Sequence, residues 1–566
     1  GHPSVHGYKD IIPLWKAEKW DPDRLMQLYK KAGAKYFVSM GSHHDNFFLW
    51  NSKLHKWNAV NMGPMRDVVG DWQKAAKKYG LRFGVSEHLG ASFTWFQSSH
   101  RADPGGPKAG VPYDGANPQY QDLYHFPAEP GDGGWYSNNP KWQQQWYDEI
   151  KELVDNYHPD LLYTDGGVAF GNEVGRSMIA HLYNQDAARH GGKVEVVYNC
   201  KQKSEGRWVE DLERGIMPKI DPYPWQTDTS IGDWFYNRDW KFRPVRWVIH
   251  MLVDNVSKNG NLLLNVVQRP DGSLDPEVET MLSQLADWTA VNGEGIFGTR
   301  PWQVYGESTV KVKGGGFSED FKYNAKEIRF TTKGKTLYAF ALGWPEDGKI
   351  VIRSLGKPAD REGNNIKRIE LLGHRGTLKF TQTADALTVT LPEAKVGDIA
   401  IALRITGGNL TALPLPQVVQ EVLVPCAEQG AQISWRYSIE RPADEWPAPG
   451  FDDSSWKEGA AAFGTINPNT KWETSDIWMR RTFELAAVPA NPCLNVFHDE
   501  DAEVYINGKL AATLPGYNTR YESFPMSAEA IKLLKPGKNT LGAHCHQTNG
   551  AQNIDCGLLE TPVAPK

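Results

Sequence analysis

The sequence predicts a (β/α)8-type barrel in its first half, followed by two all-β sandwich domains. Between residues 20 and 300, apolar strand-like runs alternate with amphipathic helical stretches. Regular alternation of this kind indicates parallel strands joined by crossover helices, and its length favours a barrel over an open sheet. After residue 302, short alternating runs are separated by Gly, Pro and Asp turns, which is typical of antiparallel sandwiches.

Each barrel element follows from its local pattern. In the longest predicted helix, Trp146, Ile150 and Val154 recur at four-residue spacing on one face. No convincing strand precedes residue 20, so we expect the first barrel strand to be missing from this chain. The predicted strands cover residues 35–40, 81–85, 160–164, 194–198 and 261–266, and the predicted helices cover residues 21–34, 66–79, 141–157, 176–189, 243–257 and 276–291.

The all-β part divides into two blocks. The run 406–416 contains two Gly and two Pro residues, which is typical of a linker. Asn507-Gly508 lies between two alternating runs and predicts a tight hairpin turn. The predicted strands cover residues 328–332, 336–342, 349–354, 366–372, 387–391, 399–405, 477–484, 493–498, 502–506 and 540–544. We therefore predict a catalytic barrel over 1–302, a sandwich over 303–406, a linker over 407–419 and a jelly-roll-like accessory sandwich over 420–566.

Composition narrows the classes of function. The formal net charge is −6 and there is no basic run, so nucleic acid and anionic membrane surfaces are not expected partners. No stretch approaches the ~20 apolar residues of a membrane helix. The chain begins Gly1-His2-Pro3 without Met, and we expect a secreted or periplasmic protein whose signal has been removed. The oligomeric state is left open.

Cysteine and aromatic residues give weaker signals. The five cysteines have no CxxC spacing, so neither a zinc ribbon nor a disulfide framework is indicated. Cys545 and Cys556 could pair locally, or all could be free buried thiols. The chain contains 22 Trp, 22 Tyr and 21 Phe, and many Trp residues lie beside polar residues. This pattern suits sugar binding, but packing in a large core explains it equally well.

Polar groups follow the predicted strands where a barrel carries its catalytic residues, at the C-terminal strand ends. Paired carboxylates there suit glycoside cleavage, whereas imidazoles with a carboxylate could hold a metal. Because neighbouring residues on a strand point to opposite faces, His43 and His44 are not expected to chelate together. We therefore predict no metal and no cofactor. The strand-end groups are His43, His44, Asp45, Glu87, His88, Asp165, Lys201, Glu210, Asp211, Glu213 and Asp228.

Asp165 is the sharpest candidate, because it ends an apolar strand and precedes Gly166-Gly167. At that point its carboxylate would face the barrel mouth with little bulk beside it. The alternative is an Asp that caps a helix or turn, where Gly neighbours are equally common.

Six motifs of the first 302 residues stand out. They are Ser42-His43-His44-Asp45-Asn46-Phe47-Phe48-Leu49-Trp50-Asn51-Ser52-Lys53, Trp57-Asn58, Arg66-Asp67-Val68-Val69, His158-Pro159-Asp160-Leu161-Leu162-Tyr163-Thr164-Asp165-Gly166-Gly167, the stretch 252–265 (LVDNVSKNGNLLLN) and the stretch 292–302 (NGEGIFGTRPW). Together these motifs resemble glycoside hydrolase family 29, the α-L-fucosidases. The resemblance covers about residues 8–405.

The resemblance implies a retaining double displacement in which Asp165 is the nucleophile. His43 and His44 would hold sugar hydroxyls, and Tyr163 and Trp57 would flank the pyranose and its methyl group. His88 lies where the family often has Tyr, Lys201 lies where some members have Arg, and one sugar-binding His of the missing strand has no counterpart. The full set of predicted substrate contacts is His43, His44, Trp57, Glu87, His88, Tyr163, Lys201 and Trp225.

The resemblance leaves the acid/base residue open. Several members have Trp-Glu-Thr where this chain has Trp225-Gln226-Thr227, and Gln cannot transfer the proton. We predict Glu213 as the acid/base, with Glu210 and Asp228 as alternatives. Arg214 is expected to point away from Glu213, because its charge would oppose protonation of that carboxylate.

These residues predict a retaining exo-α-L-fucosidase that acts on fucosylated glycans or polysaccharide fragments. The alternatives are a non-catalytic fucose-binding protein, which Gln226 would suit, and an α-L-galactosidase using the same site.

The C-terminal module resembles the accessory sandwiches of secreted glycosidases, and we interpret it as structural or as a weak sugar contact. Its acidic run 498–501 is interpreted as a solvated turn, with a calcium site as the alternative. Trp50, Trp57, Trp225 and Trp234 lie in or near the family motifs and are candidate sugar-facing rings, whereas Trp146 and Trp288 are assigned to the core.

Overall fold

The computed structural model describes residues 2–171, 173–203, 206–357, 365–408, 410–413, 421–430, 432–465, 468–518 and 521–560. Two compact units emerge, covering residues 1–415 and 416–566. Residues 409 and 414–419 of the predicted linker 407–419 lie outside the described residues. Among the helices of these ranges, none combines the length and the apolar character that crossing a bilayer requires.

The first unit is built on a curled sheet of parallel strands, and the described residues contribute seven of them. They are paired in chain order from β1 to β7. The barrel prediction and the missing first strand are therefore confirmed, since β1 and β7 each pair with a described strand on one side only. The strands are β1 (Tyr36–Ser42), β2 (Arg82–Glu87), β3 (Leu161–Thr164), β4 (Val197–Cys200), β5 (Val209–Asp211), β6 (Trp225–Ser230) and β7 (Gly260–Asn265).

The long helices of the first unit lie where the sequence predicted them. In the helix Pro140–Tyr157 (α3), Asn139 caps the first turn by accepting from the backbone N–H groups of Lys141 and Trp142. Its buried face includes Trp146 and Ile150. The long helices are α1 (Pro22–Ala32), α2 (Val68–Lys78), α3 (Pro140–Tyr157), α4 (Val174–Arg189), α5 (Val245–Ser257) and α6 (Pro276–Asn292). The short α-helices within the described ranges are Tyr8–Ile11, Ser92–Phe96, Gln121–Tyr124 and Ala528–Ile531.

The helical layer closes although the sheet does not. Thr289 of α6 donates a hydrogen bond to the carbonyl of Ala32 at the end of α1 (3.1 Å). Across the interior, the Tyr36 hydroxyl of β1 donates to the Gln226 side chain of β6 (2.9 Å), which shows how strongly the sheet curls. The gap between β1 and β7 opens into a cavity of about 1450 Å³. The strand-end residues line this same cavity.

A β-sandwich packs against the barrel within the first unit. Its sheets have the orders β12-β15-β10-β9-β8 and β11-β14-β13, and all of their pairings are antiparallel. Arg329 of β9 donates to Asp254 of α5 (2.6 Å), which also accepts from Lys258 (2.7 Å). All three side chains are buried, so the stretch 252–265 fastens the sandwich to the barrel. The strands are β8 (Arg300–Glu307), β9 (Ile328–Lys333), β10 (Thr336–Ala341), β11 (Lys349–Ile352), β12 (Ile366–Leu371), β13 (Phe380–Gln382), β14 (Leu387–Thr390) and β15 (Ile401–Gly407).

The second unit is a sandwich of two mainly antiparallel sheets. The predicted hairpin is confirmed, because Asn507 and Gly508 join β23 to β24 with positive φ angles of 50° and 85°. All five cysteines are free and buried, so Cys545 and Cys556 are not paired. The strands are β16 (Glu421–Val424), β17 (Ser434–Ser438), β18 (Lys457–Ala460), β19 (Phe463–Gly464), β20 (Thr470–Lys471), β21 (Asp476–Leu485), β22 (Pro492–Asp499), β23 (Asp501–Ile506), β24 (Lys509–Leu514), β25 (Glu522–Pro525), β26 (Gly537–His546) and β27 (Asn553–Glu560).

Candidate active site

The C-terminal ends of the barrel strands converge on the cavity, as in other barrels of parallel strands. Most of the predicted site residues meet there. β1 is followed by two imidazoles, β2 by one, β3 by a carboxylate, β4 by an amine and β5 by a second carboxylate. The predicted residues that line the cavity are His43, His44, His88, Tyr163, Asp165, Lys201, Glu213 and Asp228.

Asp165 lies at the centre of this group. Its Oδ2 is 3.4 Å from both His44 Nε2 and His88 Nδ1, and its Oδ1 is 3.0 Å from Lys201 Nζ. Burial alone would raise the pKa of Asp165. The bonds from His44 and His88, with the charges of His88 and Lys201, outweigh burial and hold this pKa well below its usual range. The carboxylate is therefore ionised, as a nucleophile must be.

The loop after β3 keeps space open beside Asp165. Gly166 has a φ of 86°, in the left-handed region that favours glycine. A Cβ at this position would lie 2.7 Å from Trp135 Nε1 and 2.8 Å from the Tyr136 hydroxyl. The backbone carbonyl of Gly166 also accepts from Lys201 N (2.7 Å). Glycine is thus required here by both backbone angle and space.

The three imidazoles form one cluster, contrary to the sequence expectation for His43 and His44. β1 ends at Ser42, so strand alternation no longer applies to the two residues that follow. The rings of His43 and His44 are 4.4 Å apart, and one nitrogen from each of His43, His44 and His88 lies within 4.8 Å of the others. Within the described ranges, this is the cluster whose spacing could hold a metal ion.

The individual imidazoles have different partners. His44 Nδ1 donates to the carbonyl of His88 (2.7 Å), which directs Nε2 toward Asp165. Burial, together with the neighbouring His88 and His44, lowers the pKa of His43 to about 3. His43 is therefore neutral near pH 7, and a neutral imidazole can offer both a donor and an acceptor to sugar hydroxyls.

Lys201 links the two candidate catalytic carboxylates. Besides Asp165, its ammonium contacts Glu213 Oε2 directly. Two oxygens on one ammonium are separated by at most two contact lengths, about 6 Å. Burial lowers the pKa of Lys201, but the negative charges of Asp228, Asp165 and Glu213 outweigh it and raise this pKa above its ordinary value. Lys201 is thus a permanent cation between the two carboxylates.

Of the three candidates for the acid/base, Glu213 and Asp228 line the cavity, whereas Glu210 does not. Glu210 and Asp211 are neighbours on β5, so their side chains point to opposite faces. Asp211 accepts from the interior residues Tyr163 and Gln226, and Glu210 is not among the residues that line the cavity. Arg214 donates to Glu319 (2.9 Å), so its guanidinium is held by another carboxylate.

A buried polar network lies beneath the cavity. The Tyr163 hydroxyl donates to Asp211 and Asp228, both at 3.1 Å. Burial and the nearby charge of Asp228 raise the pKa of Asp211 well above its usual range. Gln226 donates to Asp211 (2.9 Å) and to Asn199 (2.8 Å). Gln226 therefore stabilises the network, and it does not occupy the position of a proton donor to substrate.

Three predicted sugar contacts do not reach the cavity. Trp225 is 1% exposed and donates to the carbonyl of Lys258 (2.9 Å), so it is part of the barrel wall. Trp57 is also buried outside the cavity lining. Glu87 is fully buried and accepts from Leu89 N and Trp146 Nε1. Burial raises the pKa of Glu87 to about 7.

Of the four tryptophans predicted to face the sugar, only Trp234 lines the cavity. Trp50 is buried and donates to Glu152, whereas Trp234 is half-exposed and lines the cavity. Trp146 and Trp288 are buried, which confirms their assignment to the core.

Sequence reasoning missed two exposed indoles that line the cavity, Trp95 and Trp135. Both are exposed, and both pack near His44. The sequence around Trp135 could have indicated an exposed indole. Trp135 follows Gly133-Gly134 in a polar loop, where an indole has little apolar surface to pack against. Trp95 is less obvious, since it lies in the short helix Ser92–Phe96.

Comparison with known proteins gives matches over most of the first unit. The family model described as alpha-L-fucosidase matches residues 1–294, and the alpha-L-fucosidase C-terminal domain model matches residues 322–406. The rat and human tissue alpha-L-fucosidases are each 28% identical to this chain, over 71% and 72% of it and 78% and 79% of their own lengths. The Thermotoga maritima alpha-fucosidase structure is 30% identical, with a TM-score of 0.54, and the match covers 71% of this chain and 83% of that one.

A more distant solved relative agrees at the level of the fold. A Bacteroides thetaiotaomicron alpha-L-fucosidase structure is 18% identical with a TM-score of 0.52, over 73% of this chain and 86% of that one. The alpha-L-fucosidase model alone covers more than half of the 566 residues. The chain therefore belongs to the α-L-fucosidase family and is a glycoside hydrolase.

Proposed function

We propose that the protein is a retaining exo-α-L-fucosidase that removes terminal α-L-fucosyl residues from glycans or polysaccharide fragments. One observation carries the proposal: a single ammonium, that of Lys201, contacts both Asp165 and Glu213. Retaining glycosidases have carboxyl groups about 5–5.5 Å apart, whereas inverting enzymes need about 6.5–9.5 Å to admit a water. Two carboxylates held by one ammonium match the shorter spacing.

In the first step, the ionised carboxylate of Asp165 attacks the anomeric carbon of the fucosyl ring. A bond forms between that carbon and the Asp165 oxygen while the glycosidic carbon–oxygen bond breaks. Protonated Glu213 donates its proton to the departing oxygen, so the leaving group departs as an alcohol. The product is a fucosyl ester on Asp165.

In the second step, water attacks the same carbon and the ester bond to Asp165 breaks. Glu213 now accepts the proton of that water, so it must be anionic at this stage. Asp165 leaves as a free carboxylate, and the carboxyl group of Glu213 is protonated again for the next cycle.

The hydroxyl-binding role of His43 is also part of the proposal. The imidazole is half-buried and neutral near pH 7, so it suits hydroxyl binding better than anion binding. The location, secreted or periplasmic, stays a prediction.

Two measurements test the proposal together. Proton NMR of a fucoside digest should detect the α-anomer of L-fucose first, whereas initial release of the β-anomer would indicate inversion. The slow substrate 2-deoxy-2-fluoro-α-L-fucosyl fluoride should label the peptide that contains Asp165, detected by mass spectrometry. A label on another residue would contradict the assigned nucleophile. Faster hydrolysis of an aryl α-L-galactoside than of the matched fucoside would favour the α-L-galactosidase alternative.

A further inference from the structure

Trp95 and Trp135 form an exposed aromatic corner at the rim of the active-site cavity. They are 55% and 43% exposed, although indoles are usually mostly buried. Their ring centroids are 6.2 Å apart and the planes are nearly perpendicular, at 87°. Two indole rings at right angles in solvent make a surface that can bind one flat, partly apolar ligand.

The corner is fastened to the catalytic loops. The Thr94 hydroxyl donates to the carbonyl of Trp135 (3.2 Å), which ties the two indole-bearing segments together. The neighbouring Tyr136 hydroxyl donates to the carbonyls of Asp165 and Gly167, both at 3.0 Å. The position of Trp135 is therefore set by the same loop that presents Asp165.

The corner also contacts one of the predicted sugar-binding imidazoles, that of His44. The ring of His44 is 4.3 Å from Trp95 and 5.2 Å from Trp135. On its other side, His44 Nε2 is 3.4 Å from Asp165. The imidazole of His44 thus contacts both the reacting carboxylate and the aromatic corner.

Burial indicates which part of a substrate would meet the corner. His44, Tyr163 and Asp165 are buried or nearly so and enclose the position of the ring that reacts. In an exo-acting enzyme the rest of the substrate extends from that ring toward solvent, where Trp95 and Trp135 lie. Indole faces pack against the apolar C–H face of a pyranose, and an indole N–H can donate to a ring hydroxyl.

We propose that the Trp95–Trp135 corner is the subsite for the sugar to which the fucosyl residue is linked. This inference rests on the proposed fucosidase function and identifies the substrate class as fucosylated oligosaccharides whose leaving group is a pyranose. Binding energy from this subsite assists cleavage only when the leaving group is a sugar.

The test compares two substrates that differ in the leaving group. One is α-L-fucosyl fluoride, whose fluoride leaving group is too small to touch the corner. The other is the best substrate of a panel of fucosylated di- and trisaccharides. For Trp95→Ala and Trp135→Ala, we expect kcat/KM on the oligosaccharide to fall about tenfold each, which corresponds to one aromatic contact. Activity on the fluoride should change less than threefold.

Controls separate binding from folding and positioning. Trp240→Ala changes an indole that is 42% exposed and outside the cavity lining, and it should leave the ratio of the two kcat/KM values unchanged. Trp135→Phe keeps an aromatic face and should recover part of the ratio. The proposal is overturned if both substrates lose activity equally, if neither does, or if the wild type cleaves the fluoride but none of the oligosaccharides. A wild type that fails to cleave the fluoride would instead refute the fucosidase function itself.

Discussion

The two units of the chain each contain an aspartate held by two histidines, with opposite consequences. Asp165 Oδ2 is 3.4 Å from His44 and His88, and Asp476 Oδ1 is 2.9 Å from His544 and His546. An indole packs near one histidine in each case, Trp95 beside His44 and Trp478 against His544.

The difference lies in how the backbone brings the groups together. Asp476 and the two histidines face one another across the antiparallel pair β21 and β26. Asp476 is paired in register with His546, and His544 lies two residue pairs further along. They lie side by side on a sheet face, and His546 is 48% exposed. The parallel strands β1 to β4 instead gather their end residues around a cavity. Of these two clusters, the one at the cavity has a lysine that joins the aspartate to a second carboxylate.

The largest expected effect comes from Asp165→Asn. The amide cannot attack the anomeric carbon, so kcat should fall on the order of 10⁴-fold, measured with an aryl α-L-fucoside. Far-UV circular dichroism should be unchanged, because Asn has the same shape as Asp. If more than a few per cent of the activity survived after re-purification, Asp165 would not be the nucleophile.

The next prediction separates Glu213 from its neighbour in sequence, Glu210. Glu213→Ala should lower kcat/KM on a fucosylated oligosaccharide by about 10²–10³-fold, which is typical of a lost general acid. An aryl fucoside with a good leaving group should be much less affected, and azide should restore its rate by replacing the water. Glu210→Ala is the matched control and should show none of these effects. The acid/base assignment is wrong if Glu210→Ala or Asp228→Ala shows the pattern expected of Glu213→Ala, a large loss on the oligosaccharide with azide rescue on the aryl fucoside.

Sequence patterns predicted the barrel well where strands are apolar and poorly where the interior is polar. β6 reads Trp225-Gln226-Thr227-Asp228-Thr229-Ser230 and is buried throughout, so neither alternation nor an apolar run marks it as a strand. β5 has three residues, too few to show a period. Both strands were missed for these reasons.

The same limit applies to the site. Asp165 was found because an apolar strand precedes it, whereas the role of Asp211 depends on which face of β5 it occupies. Trp225 and Trp57 lie close in sequence to site residues but point into the wall, because proximity along the chain does not determine side-chain direction. The exposed Trp95 and Trp135 belong to loops and a short helical turn, where no long period relates sequence to orientation.

The glutamates near the two aspartates differ in burial, and this difference predicts how the stability of the protein depends on pH. Glu87 is fully buried near Asp165, with a pKa raised from 4.5 to about 7, whereas Glu503 near His544 is 40% exposed. Since Glu87 retains its proton to higher pH in the folded state than in the unfolded state, its contribution to stability is complete below pH 4.5 and is lost as pH rises to 7. The loss amounts to about 3 kcal/mol.

Replacing the Glu87 carboxyl by an amide, in Glu87→Gln, should remove this dependence. The amide oxygen can still accept from Leu89 N and Trp146 Nε1, so folding should be preserved. As the pH rises from 4.5 to 7.5, the melting temperature of the wild type should fall relative to that of the Glu87→Gln variant. Parallel pH curves for the two proteins would show that Glu87 is not neutral in the folded state.

A smaller effect is expected from Lys201→Met, which removes the cation that distinguishes the two clusters. The charge of Lys201 helps to hold down the pKa of Asp165, so the acidic limb of the kcat/KM profile should move to higher pH. The rate at the optimum should fall about tenfold, because the two carboxylates then repel each other. Lys201→Arg keeps the charge and should retain the wild-type acidic limb. An unshifted limb in the Lys201→Met variant would mean that Lys201 does not control Asp165.

The smallest effect is predicted for Asp476→Asn, the counterpart of Asp165→Asn in the second unit. Activity on both aryl and oligosaccharide fucosides should equal that of the wild type, since the Asp476 cluster has no lysine-bridged carboxylate pair among the described residues.

Burial raises the pKa of Asp476, but the bonds from His544 and His546 outweigh it and lower the pKa. The contribution of ionised Asp476 to the stability of the folded protein is therefore complete above pH 3.8, the pKa of this group in the unfolded chain. It is lost as the pH falls through the lower pKa that Asp476 has in the folded protein. Since both histidines are partly exposed, the variant should be destabilised by at most about 1 kcal/mol at pH 6, and the difference should disappear in strong acid. A large loss of fucosidase activity in a folded Asp476→Asn protein would show that a histidine–aspartate cluster on an open sheet face can contribute to catalysis, which would break the comparison.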